Sequence, residues 1–182
     1  MLSCEKLPEG YEECLSVNFT EDIPLLKKVT LWNLIIKALM LIIGLLISDL
    51  SYFLNNFFPS LLMFLGGSFI YVSLHEAAHG LFMRIFGAKR VDYGFKSGMA
   101  YAYTDTYFAR LPYIVIALAP VVILGLCLFM LHFFLPFKWF WHIYLIEIFN
   151  LSGAAGDYFV VMKFAPLQGE ILIRDNGTSM KV

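Results

Sequence analysis

SLLMFLGGSFIYVSLHEAAHGLFMRIF, residues 60–86, is the stretch whose reading decides the fold. It is apolar over more than the roughly 20 residues that a helix needs to cross a hydrocarbon core. Inside it stand His75, Glu76 and His79. On a helix, residues four apart share one face about one turn apart. The two imidazoles can then meet one metal ion, and Glu76 can accept a proton from water held there. In a charged, soluble helix such a pattern arises readily by chance. In an apolar helix it is costly unless the three groups pair, bind metal or reach water.

The rest of the chain agrees that lipid is its solvent. Of its 182 residues, 60% are hydrophobic and 15% charged, where soluble domains average about 45–50% and about 25%. Mean hydropathy is +0.75, and aromatic residues make up 17%, as expected for side chains that face lipid and sit at its interfaces. Residues 31–50, 111–135 and 139–164 form three further apolar stretches. The expected fold class is an all-α membrane protein of about four transmembrane helices, with the His75–His79 motif on the second. Pro59, Pro112 and Pro136 mark helix boundaries, and Pro120 falls inside the third helix and should kink it.

Two pieces are not helical. Residues 87–110 contain Gly87, Gly94 and Gly98, then the period-two run Met99-Ala100-Tyr101-Ala102-Tyr103-Thr104-Asp105, which predicts a strand. The tail places Asp175-Asn176-Gly177 between the runs 171–174 and 178–182, a hairpin pattern. Whether the chain stops short of that hairpin's full second strand is left open. Residues 1–30 read as a polar lead-in broken by Pro8, Gly10 and Pro24, with acids throughout and no signal-peptide pattern. The organisation is thus a cytoplasmic N-terminal segment 1–30, a transmembrane domain 31–164 and a cytoplasmic tail 165–182.

Charge placement supplies the orientation. Lys27 and Lys28 precede the first helix, and Arg84, Lys89, Arg90, Lys96 and Arg110 cluster between the second and third. Lys163, Arg174 and Lys181 follow the fourth, whereas the outer loops hold only Lys138. Excess Lys and Arg marks the cytoplasmic side, so both termini should be cytoplasmic. A net charge of −1 argues against a nucleic-acid partner. Cys4, Cys14 and Cys127 have no disulfide or metal spacing.

A catalytic zinc takes three protein ligands and keeps one position open. Asp157 is a lone acid in the fourth helix, seven residues before Phe164, just as His79 lies seven before Phe86. If both helices run toward the cytoplasm, the three side chains share one depth, which makes Asp157 the third ligand. Asp92 and Asp105, in the loop after the second helix, are the alternatives and would have to fold back into the membrane. Asn150 could touch substrate, hold a ligand's free nitrogen, or merely bond across helices. Glu147 is ten residues from Asp157, about 15 Å along a helix, too far to share the metal. His132 and His142 receive no role. Tyr101 and Tyr103 either anchor at the interface or belong to a strand, residues 99–107, that pairs with an extended substrate beside the metal.

On these residues the chain resembles the site-2 protease group of intramembrane zinc peptidases, which pair HExxH on one transmembrane helix with an aspartate on a later one. It is closer still to a family of small bacterial membrane proteins described as zincin peptidases. That resemblance runs through Leu7-Pro8-Glu9-Gly10-Tyr11, His75 to His79, Ala119-Pro120, Asn150 to Asp157 and the tail. It implies a bacterial cell-membrane location, one zinc ion on His75, His79 and Asp157, and Glu76 as catalytic base. Gly153 stands where the site-2 pattern has Pro, and Gly156 precedes Asp157 where that pattern has Asp-Gly.

The expected activity is zinc-dependent hydrolysis of peptide bonds in a peptide or transmembrane-protein substrate, performed within or beside the lipid bilayer. The rival expectations are a non-catalytic metal-binding scaffold and a metal-ion carrier. Glu76 favours the enzyme, since a structural site needs ligands and no base. A carrier would want more acids along a path than Asp157 and Glu147.

Overall fold

A computed structural model describes every residue except Met1, Thr20, Ser97 and Thr178. Thr178, which the hairpin reading assigns to its second strand, therefore lies outside the described residues.

The chain opens with two short strands, β1 (Ser3–Cys4) and β2 (Ser16–Asn18). Helix α1 (Ile23–Ile47) then starts earlier than the apolar stretch predicts. Its start is set by Asp22, whose side chain accepts the Leu25 N–H at 3.0 Å, and by Pro24 in the first turn. Both are helix-initiating features, and they draw Lys27 and Lys28 into the helix. A short helix α2 (Ser51–Asn55) leads into α3 (Phe57–Ile85), whose 29 residues carry His75, Glu76 and His79. Helix α4 (Arg110–Phe134) contains Pro120. The last apolar stretch begins with a 3-10 turn, Phe137–Trp139, and continues as α5 (Phe140–Gly153) and α6 (Ala155–Phe164). Four spans, Ile23–Ile47, Phe57–Ile85, Arg110–Phe134 and Phe137–Phe164, are long and apolar enough to cross a membrane. Their many exposed Leu, Ile and Phe side chains are what lipid-facing surfaces require.

The fourth span is not continuous. Its helix breaks between Gly153 and Ala154, leaving carbonyls of α5 without their helical donors. Asn33 of α1 supplies one replacement, donating from Nδ2 to the Ser152 carbonyl at 2.7 Å. The break places Asp157 in the first turn of α6.

Between α3 and α4 the chain forms a hairpin of β3 (Asp92–Lys96) and β4 (Met99–Tyr103), followed by β5 (Tyr107–Ala109). The hairpin packs along α3. The Tyr93 ring lies against Gly80, where a side chain would push the ring aside.

The tail forms β6 (Leu172–Asp175) and β7 (Ser179–Lys181), paired antiparallel as the Asn-Gly turn predicts. It is not a free-standing hairpin. The order β1-β5-β6-β7-β2 makes it the middle of a five-stranded antiparallel sheet. Residues 1–30, expected to be an irregular lead-in, supply both outer strands of that sheet and the first turns of α1. Cys14 N–H donates to the Val182 carbonyl at 2.8 Å and Val182 N–H to the Leu15 carbonyl at 2.9 Å. The core beneath the sheet joins Val17, Phe19, Phe108, Ile173 and Met180 to Tyr113, Ile116, Val160 and Phe164 of the helices.

Candidate metal centre

The break in the fourth span and the ends of α3 and α4 converge on one cavity of about 440 Å³. His75, His79 and Asp157 present ligand atoms within 4.8 Å of one another. His75 Nε2 lies 3.5 Å from Asp157 Oδ2, and His79 Nε2 lies 3.6 Å from Asp157 Oδ1. The two Nε2 atoms are 3.2 Å apart. Tetrahedral zinc with ligands at about 2.0–2.1 Å would set them about 3.3–3.4 Å from one another. Two imidazole nitrogens and one carboxylate at these separations suit a single zinc ion.

What aims the Nε2 atoms is the fixing of each Nδ1. His79 Nδ1 is 2.9 Å from the Ile116 carbonyl of α4. That carbonyl is available because its helical partner would be the N–H of residue 120, and Pro120 has none. A carbonyl only accepts, so Nδ1 carries the proton and Nε2 keeps its lone pair for a metal. His75 is held by a longer chain of bonds. Its Nδ1 lies 2.9 Å from the Tyr71 hydroxyl, which donates to Asn150 Oδ1 at 2.9 Å. Asn150 Nδ2 in turn donates to the Val121 carbonyl at 3.0 Å. Since the Tyr71 proton goes to Asn150, the His75 Nδ1–H must donate to Tyr71, and again Nε2 is left free. Asn150 is fully buried. Through Tyr71 it connects the His75 ring to the α4 backbone at Val121.

Glu76 also lines the cavity, with the Ala102 backbone amide of β4 in hydrogen-bonding reach of its carboxylate. Tyr101 lines the cavity, and its ring lies against Gly177, where a Cβ would be 2.1 Å away and φ is +85°. The Tyr103 ring lies tilted beside that of Tyr101, 5.8 Å between centroids, but faces a separate cleft with Lys89 and Arg90. The loop acids sit elsewhere: Asp92 pairs with Arg90 and Asp105 with Arg174. Glu147 pairs with His132 at 3.3 Å, away from the metal-site ligands. His142, given no role, bonds Ser60 at 3.0 Å.

The sequence reading did not single out Tyr71, Ile116 or Asp175. Tyr71 stands four residues before His75, a spacing that could have found it. Asp175 is buried beside the same cavity. Its Oδ2 accepts from the Tyr113 hydroxyl at 2.9 Å and its Oδ1 from Gly177 N–H at 2.7 Å. Burial pushes its carboxyl up to about 6, while the Gly177 and Tyr113 bonds pull the other way.

Four substitutions separate ligand, support and bystander. Asp157→Ala should weaken zinc binding by more than about 100-fold, whereas Asp92→Asn and Asp105→Asn should bind zinc as wild type does. Tyr71→Phe should weaken it by about 10–100-fold, the usual effect of losing a ligand's outer partner. Competition titration against a chromophoric chelator reads all four. Wild-type affinity in Asp157→Ala would remove it from the site.

A family model described as "Putative zincin peptidase" matches residues 68–166, which span the part of α3 that carries His75 and His79 and all of α4, α5 and α6. No curated protein and no solved structure matches the chain. The match covers more than half of the sequence, and on that ground the chain belongs to the family described as "Putative zincin peptidase".

Proposed function

We propose that this protein is a membrane-embedded zinc metallopeptidase that cleaves membrane or membrane-proximal peptide segments. The observation that carries the proposal is the convergence of His75, His79 and Asp157, with both imidazole Nδ1 atoms tied back, on a cavity that Glu76 also lines. When bound, zinc supplies a Lewis acid that polarises the substrate carbonyl and acidifies water. Glu76 takes the proton of the attacking water and passes it to the amine as the C–N bond breaks, so the base ends as it began. A scaffold would need the ligands but would have no use for Glu76.

The same geometry favours a substrate in extended form. Residues Met99 to Ala102 of β4 line the cavity beside Glu76. β3 occupies one edge of β4. The Thr104 N–H, just beyond β4, donates to the Asp175 carbonyl at 3.3 Å. Amides two residues apart on a strand point to the same side, so the Ala100 amide also points away from β3. A locally unwound substrate adding to that edge would bring its backbone past the metal site. This is the resemblance to site-2 proteases expressed in function: a dry helix must unwind before hydrolysis can reach its peptide bonds.

The excess of Lys and Arg on one side supports placing both termini, the β3–β4 hairpin and the five-stranded sheet on the cytoplasmic side, and the resemblance implies a bacterial cell membrane. The lipid bilayer and a peptide or transmembrane substrate are then the partners.

Glu76→Gln should retain zinc near one equivalent and lose peptidase activity by about 10²–10⁴-fold, measured on a fluorogenic peptide alongside metal analysis. Unchanged turnover would take Glu76 out of the mechanism. For the orientation, single cysteines in sealed vesicles at residues 55 and 138 should label from outside, and those at 96 and 170 only after permeabilisation. Outside labelling of residue 96 would invert the topology.

A further inference from the structure

The cavity contains one carboxylate more than the proposed chemistry uses. Asp157 ligates and Glu76 moves the proton, yet Asp175 lines the same walls. Its local bonds do not require a charge. Asp175 accepts from Gly177 N–H across a tight turn and from the Tyr113 hydroxyl. Both donors are neutral, so neither bond brings a positive charge to the carboxylate. A buried carboxylate is costly unless a cation meets it. Among the described residues no Lys or Arg lines the cavity, and none pairs with Asp175. The metal's two positive charges are already matched by Asp157 and Glu76, so Asp175 leaves the loaded cavity with one net negative charge. Around these groups the walls are otherwise apolar or aromatic, among them Phe19, Val72, Phe95, Met99 and Met180.

We infer that Asp175 is a specificity-determining residue, and that the cavity selects a substrate segment presenting a cationic amine or guanidinium to it. The cation completes the pairing that the fold leaves open, inside a space where an apolar stem packs well. The C-terminal hairpin thereby becomes a wall of the substrate site, joined to α4 through Tyr113 and to β4 through the Thr104–Asp175 backbone bond. The cation can be a Lys or Arg side chain or a free peptide N-terminus. Both have the same chemistry, and the test separates them.

This inference rests on the peptidase reading, and the test uses uncleavable ligands so that the two can fail separately. Short peptide hydroxamates are bound to zinc-loaded, full-length protein in nanodiscs by calorimetry. Lysine is placed in turn at each position and compared with norleucine, and each N-terminus is free or acetylated. At one position Lys should bind about 30-fold tighter than norleucine. Alternatively, the free N-terminus should show that advantage over the acetylated one. Asp175→Asn should abolish the difference while keeping the affinity of the norleucine or acetylated peptide. Its zinc stoichiometry and melting temperature report whether it folds, and Asp175→Glu should restore a preference for the cation. Equal affinity for cationic and neutral peptides in the wild type overturns the inference and leaves the peptidase reading standing. A preference that survives in folded Asp175→Asn overturns it too. No binding of any hydroxamate to the zinc-loaded protein removes the peptidase reading and the inference together.

Discussion

Two imidazoles on one helical face converge on a point only when something holds the far nitrogen of each ring. Here that constraint comes from two neighbouring turns of α4. Pro120 deprives Ile116 of its helical donor, and the freed carbonyl accepts a hydrogen bond from His79 Nδ1–H. One residue further on, the Val121 carbonyl accepts from Asn150, which holds Tyr71, which holds His75. Both proton assignments leave Nε2 bare, and both run from α3 to α4 through groups that lipid could not satisfy. A helix defect that would cost stability in isolation thus orients a candidate metal ligand.

The third candidate ligand depends on a second defect. The break after Gly153 ends α5 and restarts the helix as α6, with Asp157 in its first turn. Asn33 reaches across from α1 to satisfy the Ser152 carbonyl at the break. Three of the four spans therefore meet around the ligands, and α1 supports them from behind. This places the metal-site residues on rigid elements and leaves the β3–β4 hairpin and the C-terminal sheet as the remaining walls of the cavity.

The sequence was informative where one residue type in one pattern has few physical explanations. Ionisable residues in an apolar helix pointed to His75, Glu76 and His79, and equal offsets from the helix ends pointed to Asp157. The Asn-Gly turn and the alternating run at 99–103 marked two hairpins that the structure contains. It was silent where partners lie far apart in the chain. β1 and β2 are two and three residues long, too short for a period to register, and they pair with strands more than 100 residues away. The family match likewise stops at residue 166, before the tail that lines the cavity. Asp175 read as an ordinary turn residue because the Tyr113 hydroxyl that donates to it lies 62 residues away, which local sequence does not encode.

The central claim is that His75, His79 and Asp157 hold one zinc ion. X-ray absorption at the zinc edge of the full-length, zinc-loaded protein tests it most directly. The account predicts one zinc per chain with two imidazoles and oxygen donors at about 2.0–2.2 Å, and loss of one imidazole's scattering in either His75→Ala or His79→Ala. Sulfur scattering at about 2.3 Å, or a zinc environment unchanged by both substitutions, would contradict it.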